Sequence, residues 1–70
     1  KNIDINKSNN DGFSPFYVAC QNVHIEIVKL MIENQNVDIN KSDNNGFSPF
    51  YVVCLQGHIE IVKLLIENKN

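Results

Sequence analysis

The chain has 70 residues and a formal net charge of −2, with six lysines, eight acidic residues and no arginine. The lack of a basic excess argues against nucleic-acid binding, which needs clustered positive charge to neutralise phosphates. The apolar stretches are far shorter than the roughly 20 residues of a transmembrane helix and no signal peptide is evident, so no membrane partner is expected.

Residues 1–34 and 35–68 are two copies of one unit of 34 residues. The copies are identical at 25 of these 34 positions, and Lys69 and Asn70 stand where the next unit would begin. We therefore assign residues 1–34 to a first repeat, and residues 35–70 to a second repeat with the first two residues of a following one. Because a chain this short buries only about 60% of its unfolded surface, either something else stabilises it or it is a fragment of a longer array.

Each unit is predicted to be a polar loop followed by two short helices. In the first copy the loop covers residues 6–12, which include no apolar side chain and end in Gly. Ser14 then provides an N-cap and Pro15 a first helical residue, and the almost wholly apolar segment 16–21 predicts a helix buried on most sides. A second helix begins at Ile25. Isolated helices need about 12–15 residues, so such short units must stack on one another.

Two runs in the second copy match motifs of a known repeat family. Residues 46–54 read GFSPFYVVC and resemble the ankyrin signature G-x-T-P-L-H-x-A-A, and residues 57–65 read GHIEIVKLL and resemble the second-helix motif of the same family. The resemblance covers the whole chain, in both copies. It implies a mainly α fold: an ankyrin-repeat solenoid of two helix–turn–helix units joined by a β-hairpin finger over about residues 39–47.

Two of the departures from the family motifs bear directly on local structure. Tyr17 and Tyr51 stand where the family has a His whose ring ties neighbouring loops together, and a Tyr hydroxyl could make a similar link from a longer reach. Val23 replaces the Gly between the two helices of a unit. Asn22 is therefore expected to take the left-handed conformation in its place.

The apolar pattern of the helices predicts a core with equivalent members in each copy. The predicted buried residues are Phe16, Val18, Cys20, Ile27, Val28, Leu30 and Met31 in the first copy, and Phe50, Val52, Cys54, Ile61, Val62, Leu64 and Leu65 in the second.

The two cysteines are expected to be buried and reduced. Cys20 and Cys54 hold equivalent positions in stacked units, and a helix spacing of about 8–10 Å exceeds the roughly 7 Å between Cα atoms that a disulfide permits. Unpaired buried thiols behave as small apolar groups. This cysteine usage favours a reducing, intracellular and cytoplasmic location.

No motif for catalysis, cofactor binding or metal binding is recognised, and we expect a non-enzymatic chain. His24 and His58 recur at the turn before the second helix, where we interpret them as helix caps rather than metal ligands. Glu26 and Glu60 each precede a Lys by three residues, which is typical of a solvated helix face rather than an acid–base pair.

The resemblance implies that a protein partner binds the finger tips and the inner face of the first helix of each unit. The corresponding residues are Ser8, Asn10, Asp11, Phe13, Gln21 and Asn22 in the first copy, and Ser42, Asn44, Asn45, Phe47, Leu55 and Gln56 in the second. Phe13 and Phe47 are either binding anchors or rings that pack against a neighbouring finger.

Two functions stay open at this point. One is a non-catalytic protein–protein interaction module, a segment of an ankyrin-repeat array. The other is a structural spacer or self-associating segment, because the copies differ at only three of the six tip positions and a surface that reads an irregular partner normally diversifies. Both copies also carry an interior pattern without a polar outer face, which suggests head-to-tail self-association.

Overall fold

The structure, a computed structural model, describes residues 3–68, and it contains four helices over that range. They are α1 (Pro15–Gln21), α2 (Ile25–Ile32), α3 (Pro49–Leu55) and α4 (Ile59–Glu67). The two residues assigned to a third unit, 69–70, lie outside the described range. Helix α1 packs against α2 and α3, while α4 packs against α3 and α2. Two helical hairpins therefore stack side by side, with α1 and α3 in one layer and α2 and α4 in the other.

Each first helix begins at the predicted serine cap. The Ser14 hydroxyl accepts a hydrogen bond from the Tyr17 N–H at 3.1 Å, and Ser48 accepts one from Tyr51 at 3.0 Å. A proline follows each serine at the first helical position, where its missing N–H leaves no intrahelical bond unmade. The Ser-Pro pair before each first helix therefore forms the N-cap and the first helical residue that the sequence predicts.

In the turn between α1 and α2, the left-handed residue is not Asn22, as the sequence predicts. Val23 itself has a left-handed backbone with φ of 58°, whereas Asn22 has φ of −94°. The Val23 N–H donates to Cys20 O at 3.2 Å and the His24 N–H donates to Ala19 O at 2.9 Å. These two bonds form a Schellman cap, in which the left-handed residue is the one after the C-cap. Val must therefore adopt the conformation that its Gly equivalent takes in the second repeat.

The predicted β-hairpin finger is not confirmed, because residues 3–68 contain no strand. The segment is instead a closed turn built around Asp43, whose backbone N–H donates to Phe47 O at 2.9 Å and whose C=O accepts from the Gly46 N–H at 3.0 Å. The Asp43 carboxylate also accepts from the Asn45 N–H at 2.8 Å and the Phe47 N–H at 3.0 Å. Backbone donors that would extend a strand ladder are bound by this side chain instead.

The core lies at the junction between the two repeats. Its buried members are Phe16, Ala19, Cys20, Val28, Val37, Val53 and Ile61.

The prediction of burial was wrong for four residues, since Ile27, Leu30, Phe50 and Cys54 are exposed. All four equivalents in the other repeat are more buried, because the other repeat covers only one side of each unit. Five further predicted core residues are only partly buried: Val18, Met31, Val62, Leu64 and Leu65.

Candidate partner-binding surface

The tips of the two loops are joined by hydrogen bonds between the repeats. The Asn44 side-chain amide donates to Asn10 O at 2.9 Å, and the Asn44 backbone N–H donates to Asp11 O at 3.3 Å. Gly12 has φ of 84°, and a Cβ there would collide with the side chain and backbone N of Asn44. The close approach of the loops therefore depends on this glycine.

A second set of bonds ties the base of the first loop to the second repeat. The Asn6 side-chain amide donates to Asn36 O at 2.8 Å, and its Oδ1 accepts from the Asp38 N–H at 2.8 Å. The Lys41 ammonium donates to Asn6 O at 2.7 Å. Both polar ends of the Asn6 amide are thus satisfied by the backbone of the next repeat, which fixes the register of one unit on the other.

Tyr17 links α1 to the loop of the second repeat, which is a contact between repeats of the kind that its family position implied. Its hydroxyl donates to Asp43 Oδ2 at 2.7 Å, and both residues are buried. Burial, the hydrogen bond to Asp43 and the negative charge of Asp43 together raise the pKa of Tyr17 to about 12. Burial also acts to raise the pKa of Asp43, but hydrogen bonds from Tyr17 and from the backbone of Phe47, Asn45 and Gly46 outweigh it and lower that pKa.

The two phenylalanines proposed as anchors stack on tyrosines of their own repeat. Phe13 and Tyr17 have ring centroids 4.8 Å apart and planes 11° apart, and Phe47 and Tyr51 have values of 5.1 Å and 8°. Phe13 is partly buried, while Phe47 is 42% exposed. The rings therefore do not need a neighbouring finger to hold their orientation, and Phe47 stays exposed despite the stacking.

The structure places most of the proposed partner-binding residues at the surface. Exposed members are Asn10, Asp11, Asn22, Ser42, Asn44, Asn45, Phe47, Leu55 and Gln56, and partly buried members are Ser8, Phe13 and Gln21. The bond between Asn44 and Asn10 brings the tip residues together. The other proposed residues, Gln21, Asn22, Leu55 and Gln56, lie at the C-terminal ends of α1 and α3, which pack side by side in one layer.

Sequence reasoning missed the roles of Asn6 and Asp43, which connect the repeats. For Asp43 the available signal was an Asp followed two residues later by another polar residue, since such side chains often bind a backbone N–H two positions on. The Asp4, Asn9, Asn34, Asp38 and Asp43 side chains all accept a bond from that position. Asp and Asn side chains of this kind therefore order the backbone of these loops.

The two cysteines differ in burial. Cys20 is buried, and burial raises the pKa of its thiol to about 12, whereas Cys54 is exposed; both are free.

His24 and His58 occupy the N-cap positions of α2 and α4, but neither side chain makes a capping hydrogen bond. Across residues 3–68, no three His, Cys, Asp or Glu side chains converge in a way that could hold a metal ion.

Two stacked helical hairpins with loops cross-linked in register define a helical repeat solenoid. The sequence matches a family model described as ankyrin repeats (3 copies) over residues 1–70. The chain belongs to the ankyrin-repeat family, whose members generally serve as protein–protein interaction modules and are generally not enzymes. No match to a curated protein was found. Within the described part of the chain, no helix has the length and apolar character that crossing a bilayer requires.

Proposed function

We propose that this segment is a non-catalytic module that binds a protein partner through its loop tips and the C-terminal ends of α1 and α3. The supporting observation is that Phe47 and Leu55 are 42% and 72% exposed and that polar residues close to them in sequence, Asn44, Asn45 and Gln56, are exposed as well. Large apolar side chains within a polar rim are typical of protein-binding surfaces. Neither a cofactor, nucleic acid nor a membrane is part of the proposal.

The loops are held rigid before any partner binds. The Asn44–Asn10 bond and the Asn6 bonds join the loops of the two repeats to each other, and the Tyr17–Asp43 bond joins the second loop to α1. A surface that is already ordered loses less conformational entropy on binding than a mobile loop does. The cross-linked loops therefore favour recognition by the tips over a role for them as flexible connections.

The thiols support an intracellular, cytoplasmic location as part of this proposal. Cys54 is exposed and unpaired, and Cys20 is buried and unpaired. An exposed free thiol persists best in a reducing compartment. The proposed partner is accordingly a protein of the same compartment.

The alternative function, a structural spacer, draws on the similarity of the two tips. Only three of the six tip positions differ between repeats: 11 and 45, 21 and 55, and 22 and 56. A spacer would need no partner at these tips. The two functions therefore differ in whether a protein contacts residues such as Leu55.

Site-specific photocrosslinking separates the two functions. A photoreactive amino acid placed at position 55 should capture one defined protein in the cells that produce this chain, and the same amino acid at the exposed position Lys63 of α4 should not. Leu55→Asp should then abolish co-purification of that protein, while Lys63→Gln should retain it. Capture that is equal at both positions, or absent at position 55, would refute partner binding through the tips.

A further inference from the structure

We propose that the protein partner is recognised chiefly by the two turns that join the helices within each repeat. These turns contain the segments 21–23 and 55–57, which we call the first and second turn triplets. Their apolar side chains, Val23 and Leu55, are the main contacts. The inference rests on the proposed function and locates recognition at the turn triplets rather than at the loop tips.

The turn triplets are where the two repeats diverge most. Nine positions differ between the copies, and three of them are consecutive and coincide with the turn triplets, which read Gln-Asn-Val and Leu-Gln-Gly. The other differences among the described residues exchange one apolar side chain for another, or an acid for its amide. These pairs are Ile3 and Val37, Asn9 and Asp43, Asp11 and Asn45, Ala19 and Val53, and Met31 and Leu65. Within the described range, divergence that changes the character of a side chain is thus confined to the turn triplets, which favours them as the segments that read a partner.

Position 23 stays open whichever repeat stacks against it. Val23 is 39% exposed although the second repeat follows it. At the equivalent Gly57, which the first repeat precedes, an added Cβ would meet no atom of the described structure within 4 Å. Repeats on either side in a longer array would therefore leave Val23 accessible, so its exposure does not depend on a missing neighbour.

Val23 strains the backbone without joining the core. Its φ of 58° lies in the left-handed region, where a β-branched side chain is strained, and it is not a member of the buried core. The second repeat makes the same turn with Gly57 at φ of 72°, which costs a glycine nothing. Backbone strain is concentrated at functional sites. A strained, exposed side chain outside the core therefore favours a contact with another molecule.

Leu55 supplies the apolar contact of the second turn triplet. It is 72% exposed, and the equivalent Gln21 stays partly exposed although the second repeat follows it. A repeat stacked after α3 would therefore leave part of Leu55 accessible. Both turn triplets lie at the C-terminal ends of α1 and α3, which pack against each other. A single partner can therefore contact Val23 and Leu55 together.

The turn triplets define the chemistry of the partner. None of their six residues carries a charge. The side-chain amides of Gln21, Asn22 and Gln56 each offer donors and an acceptor, which match the C=O and N–H groups of a peptide backbone. Val23 and Leu55 require apolar side chains opposite them. The partner is therefore expected to present an uncharged peptide segment that carries apolar side chains.

Affinity measurements with the protein captured at position 55 test the inference. Val23→Gly should weaken its binding about tenfold, through the loss of one apolar side chain from the contact. The same variant removes backbone strain, so weaker binding cannot be caused by unfolding. Leu55→Gln gives the second turn triplet the residue found at position 21 and should weaken binding by a similar factor. Lys29→Gln, at an exposed position of α2, is the control and should bind like the unaltered chain.

Two comparisons locate the contact and define its chemistry. Asn45→Ala at the second loop tip should weaken binding less than Val23→Gly does. Raising the salt concentration from about 50 to 500 mM should change the affinity less than about threefold, because salt screens interactions between charges. Circular dichroism checks that every variant keeps its helices.

The outcomes separate this inference from the proposed function. Capture at position 55 together with unchanged binding by Val23→Gly would overturn the inference and leave the proposed function intact, whereas no capture at position 55 would overturn both. A larger loss for Asn45→Ala than for Val23→Gly would assign recognition to the loop tips. A steep loss of affinity with salt would show that the partner contacts this surface through charges, against the uncharged segment proposed.

Discussion

The Tyr17 hydroxyl donates a 2.7 Å hydrogen bond to the Asp43 carboxylate of the next repeat, 26 residues later in the chain. This bond crosses the junction at the point where the second loop meets the first helix. The same carboxylate group closes its own loop by accepting from the Asn45 and Phe47 N–H groups. One acidic side chain therefore orders a loop and fixes it to the preceding repeat.

The Tyr17–Asp43 bond should make stability depend on pH at both extremes. The pKa of Asp43 is lowered in the folded state, so its contribution is present above its ordinary value of 3.8 and is lost as pH falls through the lowered value. The pKa of Tyr17 is raised from 10.0 to about 12, so its contribution is complete below pH 10 and is lost as pH rises through 12. Thermal melts across this range should show a plateau with a fall at each end.

Tyr17→Phe tests the alkaline side of this behaviour. The variant should lose roughly 1.5–3 kcal/mol of unfolding free energy at neutral pH, the usual contribution of a hydrogen bond to a charged group, and its stability should fall less between pH 10 and 12. Tyr51→Phe is the matched control, because Tyr51 is 52% exposed and its hydroxyl makes no such bond to any residue from 3 to 68. Equal losses in the two variants, measured by urea denaturation at low concentration, would contradict the assigned role of Tyr17.

The left-handed Val23 should destabilise the turn between α1 and α2. A β-branched residue with φ of 58° is strained, whereas Gly57 adopts φ of 72° at the equivalent turn without strain. Val23→Gly should therefore raise the unfolding free energy by about 1 kcal/mol. The reciprocal Gly57→Val should lower it by about 1–2 kcal/mol, although a Cβ at position 57 meets no atom within 4 Å. If denaturant titrations show that the two substitutions change the unfolding free energy in the same direction, backbone strain is ruled out as the cause.

The two cysteines should react at very different rates. Cys54 is exposed, and a bulky alkylating reagent should modify it in the native protein at low chain concentration. Cys20 is fully buried with its pKa raised to about 12, so it should react only after denaturant is added. Mass spectrometry of peptides from the labelled protein distinguishes the two sites, and Cys54→Ser should abolish native labelling. Native modification of Cys20 would show that the junction opens readily.

Gly12 and Gly46 should tolerate substitution to different degrees. Both have a left-handed backbone, but a Cβ at Gly12 collides with Asn44 while a Cβ at Gly46 meets nothing within 4 Å. Gly46→Ala should lower the unfolding free energy by about 1 kcal/mol through backbone strain alone. Gly12→Ala should lower it by about 2–3 kcal/mol, because the loops must also separate. Equal losses in thermal melts would mean that the contact between loops contributes little.

Features that depend on a few neighbouring residues were predictable from the sequence. The serine caps at Ser14 and Ser48, the two helices of each unit and the stacking of the units follow from local pattern and from the length that isolated helices need. The left-handed residue was placed wrongly at Asn22. Two backbone hydrogen bonds of the Schellman cap fix Val23 in the left-handed conformation. The geometry of the helix end therefore outweighs the preference of a Val side chain for other backbone conformations.

The sequence by itself determined the repeat, its helices and the ankyrin-repeat family of the chain, because each depends on spacing and local chemistry. Only the tertiary structure decided which residues are buried. Phe16 and Phe50 sit in identical local sequences, yet one is fully buried and the other is 41% exposed. Burial depends on which unit covers a face, and a repeated sequence holds the same pattern on both sides of every junction. The difference between an interior face and an end face therefore arises only when the units are stacked in space.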